Sequence, residues 1–481
     1  MQTIKNYLYN VFYQMLTIIL PLVTVPYISG VLGEKGVGEY SLTFANSKYF
    51  IIAGMIGISI YASREIACVR DDKEKLKNEF FSIYTLQLIT TITATIVYVL
   101  FCIFFYEECY RGLYLAQTVN VVACVVDISW FFIGLEQFKR TVLRNTIVKL
   151  MSLLSIFVFV KNESDVAIYI LIVGLSALIG NLTLWFYIPK EIEIKEIKIS
   201  NLKYHLKSSL SLFIPQIAIQ VYTLLDRTLL GTFCDIEQVG YYENSQKLIK
   251  IGMTLATTLG TVMLPKISNI LEKGKMDEVK KYTNNSFMFV SAIAYPIVFG
   301  FMAISNNLVP WFYHGKFIGI EKLINVGALI VIPITWASIL GVQLLIPLKR
   351  NKQYTISVTA GAVINFVLNM LLLKRMESLG ACITSIIAEC TVTSIQFYCV
   401  KDIIKPLKLI KSSLVFCIPS VFMYTCIKFT EPFLSCNIIS TVVQVCVGVI
   451  VYLGILIFIL KRRFNISIKT ILKSVKEGEF I

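Results

Sequence analysis

Charged side chains inside long apolar stretches are the residues of this sequence best suited to chemistry. The segment LLDRTLLG (224–231) places Asp226 beside Arg227 in the run 208–233, which holds no other charged residue. Lys48, Lys247 and Lys250 interrupt two further apolar stretches. A charge in hydrocarbon costs ~2.5–3.5 kcal/mol on insertion scales unless it faces water or a partner. We therefore expect each of these residues to have a functional role. The alternative is that it forms an ion pair that only fixes helix packing.

The elements that must position these charges are transmembrane helices. The chain has 481 residues, of which 56% are hydrophobic and 16% charged, and the apolar residues are arranged in long blocks. Most blocks approach or exceed the ~20 residues that span a bilayer core. About fourteen blocks are expected, near 7–31, 40–63, 79–106, 112–135, 141–160, 166–189, 208–233, 240–264, 284–305, 323–348, 354–373, 379–400, 409–429 and 437–460. The fold class is thus an all-α integral membrane protein.

The distribution of basic residues predicts the orientation of these helices. Most of the 45 Lys and Arg residues lie in the even-numbered gaps between blocks, for example in RDDKEKLK (70–77) and KRNK (349–352). Cytoplasmic loops carry such an excess, so both termini and the even gaps are predicted to be cytoplasmic. The net charge of +15 follows from this topology and from contact with anionic membrane lipids, and no nucleic acid partner is expected.

The sequence has no motif of an ATP-driven or hydrolytic enzyme. It contains no GxxxxGK[ST] phosphate loop, no HExxH and no nucleophile elbow. The longest gap between blocks is too short for a soluble catalytic domain. The protein is therefore not expected to be an enzyme.

An internal repeat divides the chain into two lobes. GEYSLTFANSK (38–48) matches GYYENSQKLIK (240–250) at an offset of 202 residues, which aligns Lys48 with Lys250. Six blocks separate equivalent points, so the two lobes are parallel repeats around an axis along the membrane normal. We predict an N-lobe (1–190), a cytoplasmic interfacial linker (191–207), a C-lobe (208–401), and a last part (402–481) with helices 13 and 14 and a basic cytoplasmic tail. Two pseudo-symmetric six-helix lobes would surround a central cleft.

Four segments resemble the polysaccharide (Wzx-type) flippases of the multidrug, oligosaccharidyl-lipid and polysaccharide exporter superfamily. They are NVFYQMLTIILPLVTVPYISGVLGEKGVGEY (10–40), YASREIACVRDDKEKLK (61–77), DISWFFIGLEQFK (127–139) and VYTLLDRTLLGTF (221–233). The resemblance implies an alternating-access transporter in the bacterial cytoplasmic membrane. It would move an undecaprenyl-pyrophosphate-linked oligosaccharide from the inner to the outer leaflet, in a pathway that also includes a polysaccharide polymerase and glycosyltransferases.

The basic residues suit such an anionic cargo. Lys48 and Lys250 each lie about ten residues into a predicted helix, which at ~1.5 Å per residue is near mid-membrane. Lys247 precedes Lys250 by one turn on the same face. These lysines, with Arg227 turned toward the cleft, would bind the pyrophosphate. Asp127, predicted at similar depth on the fourth helix, would hold a lysine when the site is empty.

A coupling ion is expected because the chain lacks an ATP site, and Na⁺ and H⁺ are both candidates. Asp226 offers a carboxylate, Asn365 and Asn369 share one face of the eleventh helix, and Ser385 lies on the twelfth. Such oxygens suit a hard cation, and the resemblance implies a sodium site on these helices. The alternative is that the two asparagines only form hydrogen bonds between helices.

Two other functions are weighed against the flippase. A cation-coupled multidrug exporter of the same fold would favour an acidic, aromatic cavity, whereas basic residues predominate here. A membrane polymerase or glycosyltransferase of the same pathway would need a sizeable loop with catalytic residues, and the gaps are short.

Overall fold

The computed structural model describes residues 2–188 and 201–464, which form helices joined by short turns. The all-helical class predicted from the apolar blocks is confirmed. A helix satisfies its backbone N–H and C=O groups within its own segment, as hydrocarbon requires. Two compact units divide the chain, Met1–Gly240 and Tyr241–Ile481.

The first unit contains nine helices in its described residues. They are α1 (Gln2–Met55), α2 (Ile58–Val69), α3 (Lys73–Phe105), α4 (Glu108–Ala116), α5 (Thr118–Ala123), α6 (Ser129–Gly134), α7 (Phe138–Phe159), α8 (Val166–Trp185) and α9 (Leu202–Phe233). Helix α10 (Ile236–Glu272) begins in this unit and continues into the second.

The second unit continues with seven further helices. They are α11 (Met276–Phe312), α12 (Ile320–Gly327), α13 (Val331–Ala337), α14 (Asn351–Cys399), α15 (Pro406–Ser413), α16 (Cys417–Thr430) and α17 (Ile438–Phe464). A π-helical segment, Ser338–Leu345, follows α13. At one end of this unit, Arg350 donates to the carbonyl of Cys399 at 2.7 Å and forms an ion pair with Asp402.

Eight helical stretches in the described residues are long and apolar enough to cross a membrane. They are Ile19–Val69, Lys73–Phe105, Glu163–Trp185, Met276–Phe312, Ile320–Leu345, Asn351–Cys399, Pro406–Phe433 and Ile438–Ile459. The first and sixth have 51 and 49 residues, about twice the ~20 needed for one crossing. The protein is therefore a multi-pass membrane protein, while the count of fourteen spans stays a prediction.

Sharp backbone breaks allow these two long stretches to turn. Gly33 has φ 68° and ψ −171° inside α1, a conformation open to glycine because it lacks a Cβ. Glu377 has φ 48° and ψ −132° inside α14. Both breaks fall between apolar blocks, where the sequence predicts a turn.

Helix α9 is fixed to the first unit at both of its ends. Near its start, His205 Nδ1 lies 2.7 Å from the hydroxyl of Tyr61, and Ser209 donates to the carbonyl of Ile56 at 2.5 Å. Near its end, Thr228 donates to Asn46 Oδ1 at 3.0 Å. The sequence repeat assigns this helix to the C-lobe, which begins at residue 208, whereas the first compact unit extends to Gly240. The boundary predicted from the repeat and the boundary between the compact units therefore differ. The predicted lobe boundaries stay a prediction.

Two predicted segments lie largely outside the described residues. Of the interfacial linker 191–207, the structure describes 201–207, where α9 begins. Of the basic tail, it describes the residues up to Phe464, the last residue of α17.

Candidate substrate-binding site

The fourth apolar block is not one helix, and this corrects the sequence expectation. Residues 124–128 lie between α5 and α6 without helical structure. We call these five residues the α5–α6 break. A break in a membrane helix frees backbone carbonyls, so it is stable only where other groups bond them.

Side chains from two other helices bond five successive carbonyls at the break. From α3, Gln87 Nε2 donates to the carbonyls of 124, 125 and 127 at 2.8, 3.4 and 2.9 Å. From α8, Asn181 donates to the carbonyl of 123 at 2.7 Å and the indole of Trp185 to that of 126 at 2.9 Å. Gln87 is fully buried and accepts a bond from the indole of Trp130 at 2.8 Å. The break is thus a built feature, held by hydrogen bonds.

Asp127 lies in this break rather than within a helix, where the sequence placed it. Its Oδ1 accepts from the backbone N–H of Ser129 at 2.9 Å, at the start of α6. Free N–H groups at a helix start favour a carboxylate. The discrepancy arises because residues 124–128 contain neither Gly nor Pro to signal a turn.

Lys48 lies near the same break. It is half-buried in the second half of α1 and within electrostatic reach of Asp127 and Cys124. Lys48 therefore lies in the neighbourhood of the carboxylate that the sequence predicts to hold a lysine, and that pairing stays a prediction. Whether they bind substrate stays a prediction.

Asp226 and Arg227 face different directions on α9. Asp226 is buried, with 4% of its surface exposed, whereas Arg227 is half-buried and donates to the carbonyl of Thr223 at 2.7 Å. Adjacent helical residues point ~100° apart, so this divergence is the expected one. Both charges lie close to Tyr49, which shares a 3.2 Å hydrogen bond with Thr228.

In the second unit, the two predicted lysines differ in their surroundings. Lys247 forms an ion pair with Glu243 at 3.2 Å across one helical turn. Lys250 is exposed and has no ion-pair partner among the residues that the structure describes. Glu243 therefore offsets the charge of Lys247, and no described carboxylate forms an ion pair with Lys250.

The asparagines of the predicted sodium site form a buried network on α14. Asn369 donates to Asn365 Oδ1 at 3.0 Å, and Thr384 donates to Asn369 Oδ1 at 2.8 Å. Next to Thr384, the hydroxyl of Ser385 lies 3.3 Å from that of Tyr242. These groups are all buried. The fourth predicted ligand, Asp226, belongs to the first unit, and coordination of one ion by all four residues stays a prediction.

Sequence reasoning missed several side chains that shape these sites. Gln87 and Trp185 bond the break from distant parts of the chain, and no local signal reveals that pairing. Glu243 was discoverable, since it precedes Lys247 by four residues in GYYENSQKLIK.

Comparison with solved structures shows the fold. The structure "Lipid II flippase MurJ, inward closed conformation" matches with a TM-score of 0.77 at 15% identity, covering 95% of this chain and 99% of that one. An inward-facing multidrug resistance MATE family transporter of the MOP superfamily matches with a TM-score of 0.61 at 12% identity, covering 82% and 99%. The fold is therefore that of the MurJ and MATE transporters.

Comparison with known sequences shows the family. A putative O-antigen transporter of Escherichia coli (strain K12) is 22% identical over 404 residues, covering 83% of this chain and 96% of the relative. Lipid II flippase MurJ of Bacillus subtilis (strain 168) is 27% identical over 142 residues, 28% of this chain and 25% of that protein. These relatives are transporters and flippases rather than enzymes. The family model described as "Polysaccharide biosynthesis protein" matches residues 3–271, more than half of the chain, and the protein belongs to that family.

Proposed function

We propose that the protein is a flippase for lipid-linked oligosaccharides in the bacterial cytoplasmic membrane. In detail, it carries undecaprenyl-pyrophosphate-linked repeat units from the inner to the outer leaflet by alternating access. Its family and its similarity to O-antigen transporters over most of their length support the substrate class. The product would pass to a polysaccharide polymerase, after glycosyltransferases have built the repeat unit.

The observation that carries the proposal is the presence of cationic side chains on membrane helices, one of which, Lys250, has no ion-pair partner among the described residues. Lys250 is exposed on α10, and Lys48 is half-buried on α1. An ammonium group meets a phosphate as a point charge, without a fixed geometry. The two lysines are equivalent in the repeat, at an offset of 202 residues, so each lobe would supply one charge to the pyrophosphate.

The mechanism follows from the physical properties of the cargo. The pyrophosphate and sugars cannot cross hydrocarbon unaided, whereas the polyprenyl tail is stable there. The tail would stay in the bilayer while the head group moves along the cationic residues. Arg227 and Lys247 would extend the path, with the charge of Lys247 moderated by Glu243.

Coupling to an ion gradient is the proposed energy source, with Na⁺ or H⁺ as the ion. The side-chain oxygens of Asn365, Asn369 and Ser385 are buried, neutral donors of the kind that bind Na⁺. Asp226 would supply the negative charge. These four residues are the proposed ligands of the coupling ion.

Deletion of the gene in its own host tests the proposal with the natural sugar. We expect loss of surface polysaccharide and accumulation of undecaprenyl-pyrophosphate-linked oligosaccharide that is inaccessible to an impermeant oxidant in spheroplasts. Normal export with increased sensitivity to cationic drugs would instead support a multidrug exporter, which the MATE-like fold also allows.

A further inference from the structure

Helix α15 lies at one end of a stretch that is longer than a membrane crossing requires. The stretch Pro406–Phe433 has 28 residues, whereas ~20 cross a bilayer core, so its end turns lie at the level of the lipid head groups. Just before α15, Tyr398 is 68% exposed, and Lys401 Nζ lies 3.9 Å from the centre of its ring. Exposed tyrosines are typical of the membrane–water interface. The start of α15 is therefore placed among head groups.

One face of α15 forms an open groove with a volume of about 300 Å³. We call it the α15 groove, and its lining residues are Leu407, Lys408, Lys411 and Ser412. The other face of the helix is anchored, because Leu409 and Ser413, one turn apart, are buried. Leu409 packs in an apolar cluster with Val400 and Ile404. The buried face fixes the helix, so the groove is formed before any ligand arrives.

The α15 groove is positively charged. Lys408 and Lys411 are exposed neighbours on the helix, and neither forms an ion pair with a described residue. The only acid of the segment 401–413, Asp402, is bound by the guanidinium of Arg350. The same segment holds two further exposed lysines, Lys401 and Lys405. The groove is therefore complementary to an anion.

We propose that the α15 groove binds the head group of an anionic phospholipid of the surrounding membrane, such as phosphatidylglycerol. The two ammonium groups meet the phosphate as point charges. Leu407 is 75% exposed beside them and contacts the start of the acyl chains, as apolar residues of interfacial helices do. This lipid is not the transported molecule, and the inference does not depend on the proposed function. In the alternative role, the lysines only form a hydrated face.

Lipid binding by the purified full-length protein tests the inference. Phosphatidylglycerol is titrated onto the protein in dodecylmaltoside, and native mass spectrometry measures the dissociation constant of the first bound lipid. Phosphatidylcholine is the neutral reference. We expect the wild type to prefer phosphatidylglycerol, and Lys408→Gln combined with Lys411→Gln to weaken its binding roughly 25-fold, about fivefold for each lysine. The unfolding temperature should stay unchanged, because both side chains are exposed.

Two further variants separate a groove from a general attraction between charges. Lys203→Gln combined with Lys207→Gln is the matched control, since these two lysines are also exposed and one turn apart, at the start of α9. This control should leave the affinity for phosphatidylglycerol unchanged. Ser412→Phe keeps every charge but fills the groove, and it should weaken binding.

Three results would overturn the inference. Wild-type affinity in the α15 double variant would show that its lysines bind no lipid. Equal weakening in the α15 and α9 double variants would show a diffuse effect of charge without a site. Displacement of phosphatidylglycerol by an equal concentration of inorganic phosphate would assign the groove to free phosphate. Selective loss of phosphatidylglycerol binding in the α15 double variant supports the inference even if the wild type flips no oligosaccharide lipid, so this test and that of the proposed function fail separately.

Discussion

Replacing Gln87 by methionine should destabilise the first unit by removing the bonds that hold the α5–α6 break. Methionine has a similar length and fits the buried space but neither donates nor accepts a strong hydrogen bond. Three bonds of 2.8–2.9 Å are lost, to the carbonyls of Cys124 and Asp127 and from the indole of Trp130. Membrane double-mutant cycles average ~0.6 kcal/mol per bond, and general estimates reach ~1.5. The free energy of unfolding should therefore fall by about 2–4 kcal/mol.

A second buried glutamine provides the matched control. Gln444 is fully buried in α17, and neither its amide nitrogen nor its oxygen has a hydrogen-bond partner among the described residues. Gln444→Met therefore removes an unsatisfied group, and we expect a change near zero or a gain of up to about 1 kcal/mol.

The assay is equilibrium unfolding in mixed dodecylmaltoside and SDS micelles, followed by circular dichroism. A double-mutant cycle of Gln87→Met with Trp130→Phe isolates the indole bond, with an expected coupling of about 0.5–1.5 kcal/mol. If Gln87→Met and Gln444→Met change stability equally, or if the coupling is zero, the account of the break is refuted. Transport should fall with Gln87→Met, since the break positions Asp127.

Three other outcomes follow from the structure. Gly38→Ala should lower both stability and transport, because the added Cβ would lie 2.0 Å from a backbone carbonyl oxygen of α10. Gly112→Ala is the control: a Cβ at Gly112 would have nothing within 4 Å, so stability and transport should stay unchanged. Equal melting temperatures and transport rates for the two variants would reject the close approach at Gly38. The hydrogen-bonded ion pair with Arg350 lowers the pKa of Asp402 in the folded protein. The ion pair therefore contributes to the free energy of unfolding above the pKa of an unfolded carboxyl group, ~3.9, and this contribution is lost as the pH falls through the lower pKa of the folded state. Since Asp402 is largely exposed, Asp402→Asn should lower the free energy of unfolding by at most about 1 kcal/mol at pH 7, and should not change it below the pKa of Asp402 in the folded state. A difference in unfolding free energy that does not depend on pH would contradict this. Asp226→Asn should abolish any sodium dependence of transport, and undiminished sodium-stimulated flipping in that variant would remove the ion-site hypothesis.

The helical architecture could be predicted because its signals are local. The lengths of the apolar blocks indicate membrane helices, and the turns near Gly33 and Glu377 fall in the gaps between blocks. Twenty apolar residues leave the backbone few alternatives in hydrocarbon, so composition predicts helix over most of each block.

The details of the site could be predicted only in part. Lys48 and Asp127 were identified by charge, and the spacing of Asn365 and Asn369 predicts their common face, which their hydrogen bond confirms. The α5–α6 break was missed because the side chain that bonds its carbonyls, Gln87, is 37 residues distant from Cys124 in sequence. The break itself holds none of the usual turn residues, Gly or Pro, that would have signalled it. Long-range hydrogen bonds of this kind leave no periodic signal in a single sequence.

Flipping in proteoliposomes tests the central claim most directly. Purified protein is reconstituted with a fluorescent undecaprenyl-pyrophosphate oligosaccharide isolated from the deletion host, and an impermeant quencher measures its movement between leaflets. We expect the wild type to equilibrate the lipid, Lys48→Ala and Lys250→Ala to lose most of that activity while remaining folded, and the two arginine variants to retain more of it. Absence of flipping by the wild type, or full activity in both alanine variants, would contradict the account.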